Sequence, residues 1–118
     1  MVKHNKIGEK GEQIAEDFLQ KKGYNIMERN WRSGQKEIDI IAMKDEILIF
    51  FEIKTRSTYD LGFPEESVTK KKQRFVKFAA EAYIFSHPQY HTIRFDIISI
   101  LMDGDNVKEI VHFEEAFY

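Results

Sequence analysis

Asp39, Glu52 and Lys54 are two carboxylates and an ammonium placed where one β-hairpin would bring them together. Glu37-Ile38-Asp39-Ile40-Ile41-Ala42 alternates polar and apolar through Ile40. A polar turn, Lys44-Asp45-Glu46, follows, and Ile47 to Lys54 is then almost wholly apolar until its end. Successive strand side chains point to opposite faces, so Glu52 should share a face with Lys54, and Glu37 with Asp39. Charges at the end of an apolar strand are costly to bury unless they are paired or bound to metal. Magnesium takes one or two carboxylates and keeps several waters. A metal so held polarises a phosphate and acidifies a bound water, and a neighbouring ammonium steadies the developing charge. That is the chemistry of phosphodiester hydrolysis. The bland alternative is a salt bridge of Lys54 with Glu52 or Asp39 at a frayed hairpin end, and spacing alone leaves both open.

The elements around the hairpin follow from periodicity. Lys6 to Lys22 reads as an amphipathic helix ended by Gly23, with Ile7, Gly11, Ile14, Ala15, Phe18 and Leu19 on one face. Glu12 precedes Leu19 by seven residues and so lies only ~20° from it around the axis. It borders the buried stripe, and either reaches a site on the sheet or extends to water. Glu9, Glu16 and Asp17 point further out. Tyr24 to Arg32 reads as a first strand carrying Trp31, Ser33-Gly34-Gln35 as a turn, and Ser57 to Pro64 as a loop. A second helix starts with Thr69 as N-cap and runs to Phe85, before Ser86-His87-Pro88. Its buried side is expected to carry Phe75, Phe78, Ala79, Ala82 and Phe85, with Tyr83 near the edge. Thr92 to Met102 and Val107 to Phe113 are strands flanking the turn Asp103-Gly104-Asp105-Asn106.

The order αβββαββ predicts a single α/β domain, a mixed sheet flanked by helices. Strands 1 to 3 form an antiparallel meander, and the long second helix permits a crossover to a parallel fourth strand.

At 118 residues, with 42% apolar and 32% charged residues, the chain suits one soluble globular domain, residues 1–118. No run of 18 apolar residues offers a membrane span. The amino terminus lacks the apolar segment of a secretory signal, and there are no cysteines for disulfides or thiolate metal sites. The expected location is cytoplasmic. Net charge is −2, against a general nucleic-acid coat, but charge distribution matters more. Lys70, Lys71, Lys72, Arg74 and Lys77 form one basic cluster and Arg29, Arg32 and Lys36 another, while Glu109, Glu114 and Glu115 gather elsewhere. The lysine run is either a solvated helix face or a set of phosphate contacts. His4, His87, His91 and His112 are not at zinc-ligand spacing. Asp96 is expected to pair structurally with an arginine.

The run Phe51-Glu52-Ile53-Lys54-Thr55-Arg56, preceded by Glu37-Ile38-Asp39-Ile40-Ile41-Ala42, resembles the PD-(D/E)XK nuclease signature. Gly8, Gly11-Glu12 and Ala15 resemble the amino-terminal block of one branch of that superfamily. So do Glu28-Arg29-Asn30-Trp31-Arg32, Val68-Thr69 to Ala79-Ala80, Arg94-Phe95-Asp96, and His112 to Ala116-Phe117. Together they resemble the bacterial YraN-like family, which is similar to archaeal Holliday junction resolvases, and the resemblance covers nearly the whole chain. Two positions depart from the pattern: Lys36 stands where glycine is usual, and Glu115 where asparagine is usual. Lys36 could crowd the backbone beside Asp39 or add a phosphate contact.

The resemblance implies a restriction-endonuclease-like core acting on DNA, on branched or damaged forms, with magnesium or manganese. It implies Asp39, Glu52 and the Ile53 carbonyl as metal ligands, and Lys54 as the group orienting the water. Glu12 would complete the acidic cluster. Thr55, Arg56, Lys36, Lys70, Lys71, Lys72 and Arg74 would contact phosphates. A competing reading keeps the fold as a non-catalytic nucleic-acid-binding or protein-interaction module. Small nuclease folds of this type often pair, because two cuts on a two-fold substrate need two sites, and an exposed apolar face would support a homodimer under either reading.

Overall fold

The computed structural model describes residues 6–57 and 68–118, with side chains from Lys10 onward. His4, the side chain of Ile7 and the loop expected beyond Ser57 lie outside the described residues. The elements are α1 (Lys6–Lys21), β1 (Asn25–Ser33), β2 (Lys36–Lys44), β3 (Ile47–Arg56), α2 (Lys70–Ser86), β4 (Thr92–Asp103) and β5 (Asn106–Phe117). They form a mixed α/β fold in the order αβββαββ.

Local chemistry sets the boundaries. Gly23 takes φ +89° after α1, and the Tyr24 N–H returns to the Leu19 carbonyl at 3.0 Å, closing the helix end. Thr69 caps α2, its hydroxyl accepting the Lys72 N–H at 3.2 Å. Asp45 and Glu46 turn the β2–β3 hairpin, both in the left-handed region at φ 51° and 65°.

The five strands lie side by side in sequence order. All neighbours are antiparallel except β3 and β4, which α2 joins as parallel strands. One helix covers each face. α2 buries Val76, Ala79, Ala80 and Tyr83 over Ile38, Ile41, Leu48, Phe50, Phe95 and Ile97. α1 buries Ala15 and Leu19 over Ile40, Ile49, Phe51, Ile53, Ile98 and Ile100.

Four expectations change here. The face of α2 turned inward is Val76–Ala79–Ala80–Tyr83, leaving Phe75, Phe78 and Phe85 exposed at 38%, 57% and 88%. Two stripes of helical spacing coexist on α2. The one with two alanines lets the helix close on the sheet, where Tyr83 meets Trp31 edge-on at 5.1 Å and stacks on His87 at 4.0 Å. Glu16 is buried, not outward, because Arg29 reaches it with two guanidinium N–H groups, one bond at 2.7 Å.

The last strand runs on to Phe117, and Phe95 pairs with Phe117 while Ile97 pairs with Phe113, so residues 114–116 bulge opposite Asp96. Glu115 sits at φ +50° in that bulge, a conformation that asparagine adopts more readily than glutamate. Strand alternation also breaks at Asp39: Ile38 joins the α2-side core and Ile40 the α1-side core, although they are two residues apart. The neighbouring strand breaks at the same level, with Asn30 at φ +50° between Arg29, paired to Glu16 of α1, and Trp31, packed on Tyr83 of α2.

Candidate acidic site at the split in the sheet

The β2–β3 ladder ends at Ile40↔Phe51. Beyond that rung β2 continues against β1 alone, and β3 against β4 alone. Asp39 occupies the resulting gap, its Oδ2 accepting the Ile53 N–H at 2.8 Å in place of a backbone carbonyl. Glu52, on the adjoining residue of β3, lies on the α2 side and is 7% exposed. Lys72 of α2 brings its Nζ to 3.4 Å from Glu52 Oε1. Glu52 Oε2 is buried with no hydrogen-bond partner among the described residues.

α1 enters from the other face. Gly11 lies so close to β3 that a Cβ there would be 1.9 Å from the Thr55 hydroxyl oxygen. This close approach brings Glu12 to the edge of the gap. Asn30, with its amide turned so that nitrogen faces the carboxylates, donates to Glu37 Oε1 at 2.9 Å and to Glu12 Oε1 at 3.1 Å. Glu12, Gln13, Glu16, Arg29, Asn30 and Asp39 line a cavity of about 220 Å³. Arg32 holds Glu37 at 3.1 Å.

The electrostatics follow from this crowding. Burial pushes Asp39 well above the ordinary carboxylate range, and repulsion from Glu52 and Glu12 adds to it, against the Ile53 N–H and Lys72. Burial also raises Glu52, helped by Glu37, while Lys72 and Lys54 pull it back without overcoming the burial. Neutralising charge is therefore favoured here.

The donor set, carboxylate oxygens with a buried oxygen left unpartnered, suits a hard divalent cation. Asp39, Glu52 and the Ile53 carbonyl are the residues that would hold one. Among the described residues no group of three or more acidic, histidine or cysteine side chains converges on a point, so water and substrate would complete the shell.

The basic residues divide. Lys70, Lys71 and Arg74 are exposed on α2, and Lys72 turns to Glu52 instead. Lys36 places its Nζ over the Phe75 ring at 4.6 Å and the Phe78 ring at 5.4 Å. Thr55 packs under Gly11. Arg56 is buried at 7% exposure, placed by its strand on the side of Leu101, and so leaves the set of surface phosphate contacts.

Sequence reasoning missed Asn30 and Glu37; an asparagine inside a strand-like run, a residue tolerant of positive φ, was the available signal. It also missed two of the partners of Asp96, His112 and the Glu115 N–H. This fully buried carboxylate accepts from Arg94 at 2.9 Å, from His112 Nε2 at 2.7 Å and from the Glu115 N–H at 3.1 Å. Burial raises its pKa, but those hydrogen bonds outweigh burial and leave it below the usual range. The arginine partner is the one expected of Asp96, and the Glu115 N–H bond ties the β5 bulge to β4.

No helix among the described residues is long and apolar enough to cross a membrane. The model of the uncharacterised protein family UPF0102 matches residues 11–100, which take in α1 from Gly11, the hairpin, α2 and most of β4. A UPF0102 protein of Flavobacterium psychrophilum is 45% identical over 118 residues, covering 100% of this chain and 98% of its own. One from Bacteroides fragilis is 42% identical, with 100% and 97% covered. One from Clostridium perfringens is 45% identical over 120 residues, with 99% and 98% covered. With a family match over most of its length and relatives alike from end to end, this chain belongs to the UPF0102 family.

Proposed function

We propose that the chain is a metal-dependent nuclease-like protein that hydrolyses phosphodiester bonds in DNA, with the gap between β2 and β3 as its site. One observation carries the reading: a buried Glu52 oxygen, without a partner among the described residues, beside Asp39 at the place where the sheet splits. Buried carboxylate oxygens in native folds are nearly always partnered, so one without a protein partner among the described residues is a natural place for a cation or an ordered water. Magnesium or manganese, when bound, supplies the polarisation of phosphate and the acidified water that hydrolysis needs.

The chain's own groups do the rest. Asp39 and Glu52 present oxygens, and the Ile53 N–H holds the Asp39 carboxylate through Oδ2. Lys54, whose charge already acts on Glu52, orients the attacking water by donating from Nζ and holds charge on the phosphate. Glu12, steadied by Asn30, adds negative potential on the α1 side. Lys70, Lys71 and Arg74 form the basic rim that draws a polyanion toward an acidic centre.

A second reading is supported by the Lys72–Glu52 pair, which partly neutralises the carboxylate without metal. On that reading the fold binds nucleic acid without cutting it. Labelled single-stranded, duplex and four-way-junction DNA incubated with magnesium or manganese separates the two. Cleavage that Glu52→Gln and Lys54→Ala reduce by about 100-fold or more fits removal of groups acting on the reacting phosphate. Equal cleavage by Glu52→Gln sinks the proposal, and binding without cleavage selects the second reading.

A further inference from the structure

Phe75 and Phe78 stand one turn apart on the outer face of α2, 38% and 57% exposed, and neither is needed to pack the helix on the sheet. A single exposed phenylalanine is ordinary; two adjoining rings sharing a cation are a specific surface. Lys36 Nζ lies 4.6 Å from the centre of the Phe75 ring and 5.4 Å from that of Phe78, and Lys71 Nζ lies 5.7 Å from Phe75. The patch adjoins the acidic site: Lys72, three residues before Phe75 on the same helix, touches Glu52, and Lys36 precedes Glu37 of the acid cluster.

We infer that Phe75 and Phe78 are a stacking platform for unpaired bases, the Lys36 and Lys71 side chains that lie over the rings turning aside to the phosphates as a base takes their place. This inference rests on the nucleic-acid reading of the site above and deepens it by naming the form of substrate, single-stranded nucleic acid or the unpaired part of a branched one. Aromatic faces beside cations are how single strands are held without sequence preference, because every base has a face to stack and every nucleotide a charge. A blunt duplex keeps its bases inside and cannot use the rings.

The competing occupant is a second copy of this chain. It fits poorly, since a helix pressed onto Phe75 and Phe78 would bury the Lys36 and Lys71 ammoniums, and a two-fold axis would double those like charges at the contact.

The test uses the full chain in a buffer with a metal chelator, so that binding is read apart from cleavage, with a labelled oligothymidine and a blunt duplex of equal length. Phe75→Ala with Phe78→Ala should weaken oligothymidine binding about tenfold or more while moving duplex binding by less than about twofold. Both positions are exposed, so circular dichroism should show an unchanged fold. Phe75→Leu with Phe78→Leu keeps apolar area without a π-face and should stay as weak as the alanine pair. Phe75→Trp should bind normally and lose fluorescence as the oligonucleotide stacks on it. Full affinity in the alanine or leucine pair, with metal-dependent cleavage intact, overturns the platform and leaves the nuclease reading standing. Absence of binding to any nucleic acid overturns both. A dimer in sedimentation that the alanine pair dissociates assigns the stripe to a second copy and overturns the platform.

Discussion

Replacing Gly11 with alanine tests the contact that sets α1 against the site. In a helix free of neighbours the change should stabilise by about 1 kcal/mol, because glycine gives up more chain entropy than alanine. Here the new Cβ would meet Thr55 Oγ1 at 1.9 Å, Thr55 Cβ at 3.0 Å and Thr55 Cγ2 at 3.1 Å. Rotating Thr55 moves its oxygen away but leaves its Cβ in place, so α1 has to shift outward. Overpacking of this kind costs about 1–3 kcal/mol, and the balance is a loss of roughly 0–2 kcal/mol. For a chain of this size that is a fall in Tm of up to about 8 °C. Thr55→Ala removes the two outer atoms and leaves only Cβ, at 3.0 Å, which α1 clears with a shift of a few tenths of an ångström. In that background Gly11→Ala should become neutral or favourable, giving a coupling of about 1–3 kcal/mol between the two positions. Urea titrations of the four proteins by circular dichroism, with a common m-value, measure it. Gly11→Ala stabilising the wild type by the full helix-propensity gain would refute the close approach, and with it the account of how Glu12 reaches the gap.

Three further outcomes are expected. Asp39 and Glu52 have folded pKa values raised above 3.8 and 4.5, so the stability they contribute is complete below about pH 4 and lost as pH rises through the raised values. Asp39→Asn and Glu52→Gln should therefore melt higher than wild type at neutral pH, with the gap narrowing toward pH 4; a pH-independent difference would count against the crowding. Asp96 is held below 3.8, so its contribution is present above that value and lost as pH falls through the folded pKa. Asp96→Ala should lose about 3–5 kcal/mol at pH 7 by stranding Arg94 and His112, read by urea titration, and a loss under about 1 kcal/mol would show the network to be idle. Glu46 sits at φ 65° in a two-residue turn. Glu46→Gly should stabilise by about 0.5–1 kcal/mol, and a lower Tm would contradict the turn geometry.

Much of this was legible because the sequence marks it twice. The apolar run Ile47 to Phe51 had to be an inner strand, and its abrupt end in Glu52 and Lys54 marked where the sheet stops being dry. The length of α2 permitted a crossover, and β3 and β4 are indeed parallel. What stayed hidden depended on choices between equals. α2 carries two apolar stripes, and size favoured the phenylalanines, whereas close approach to a sheet favours the alanines at 79 and 80. The alternation rule assumed an unbroken strand, so the change of face at Asn30 and Asp39 could not be read from period alone. Lys72 was one lysine in a run. Only the helix's rotation decided that it, rather than Lys71, meets Glu52.

The side-chain hydrogen bond that closes the β2–β3 ladder has a spectroscopic consequence. Nearly every amide in a sheet is insulated from the chemistry around it, since its acceptor is a peptide carbonyl that never changes charge. The Ile53 amide is different, because its acceptor, Asp39 Oδ2, belongs to the titrating cluster itself. Its nitrogen and proton frequencies should move when that carboxylate gains a proton or shares its electrons with a cation. Its exchange with solvent should speed up or slow down with the same events, while the amides of Phe50 and Phe51 stay still. A single backbone resonance thus serves as a built-in indicator of the site's state, readable in the intact protein before any substrate has been found.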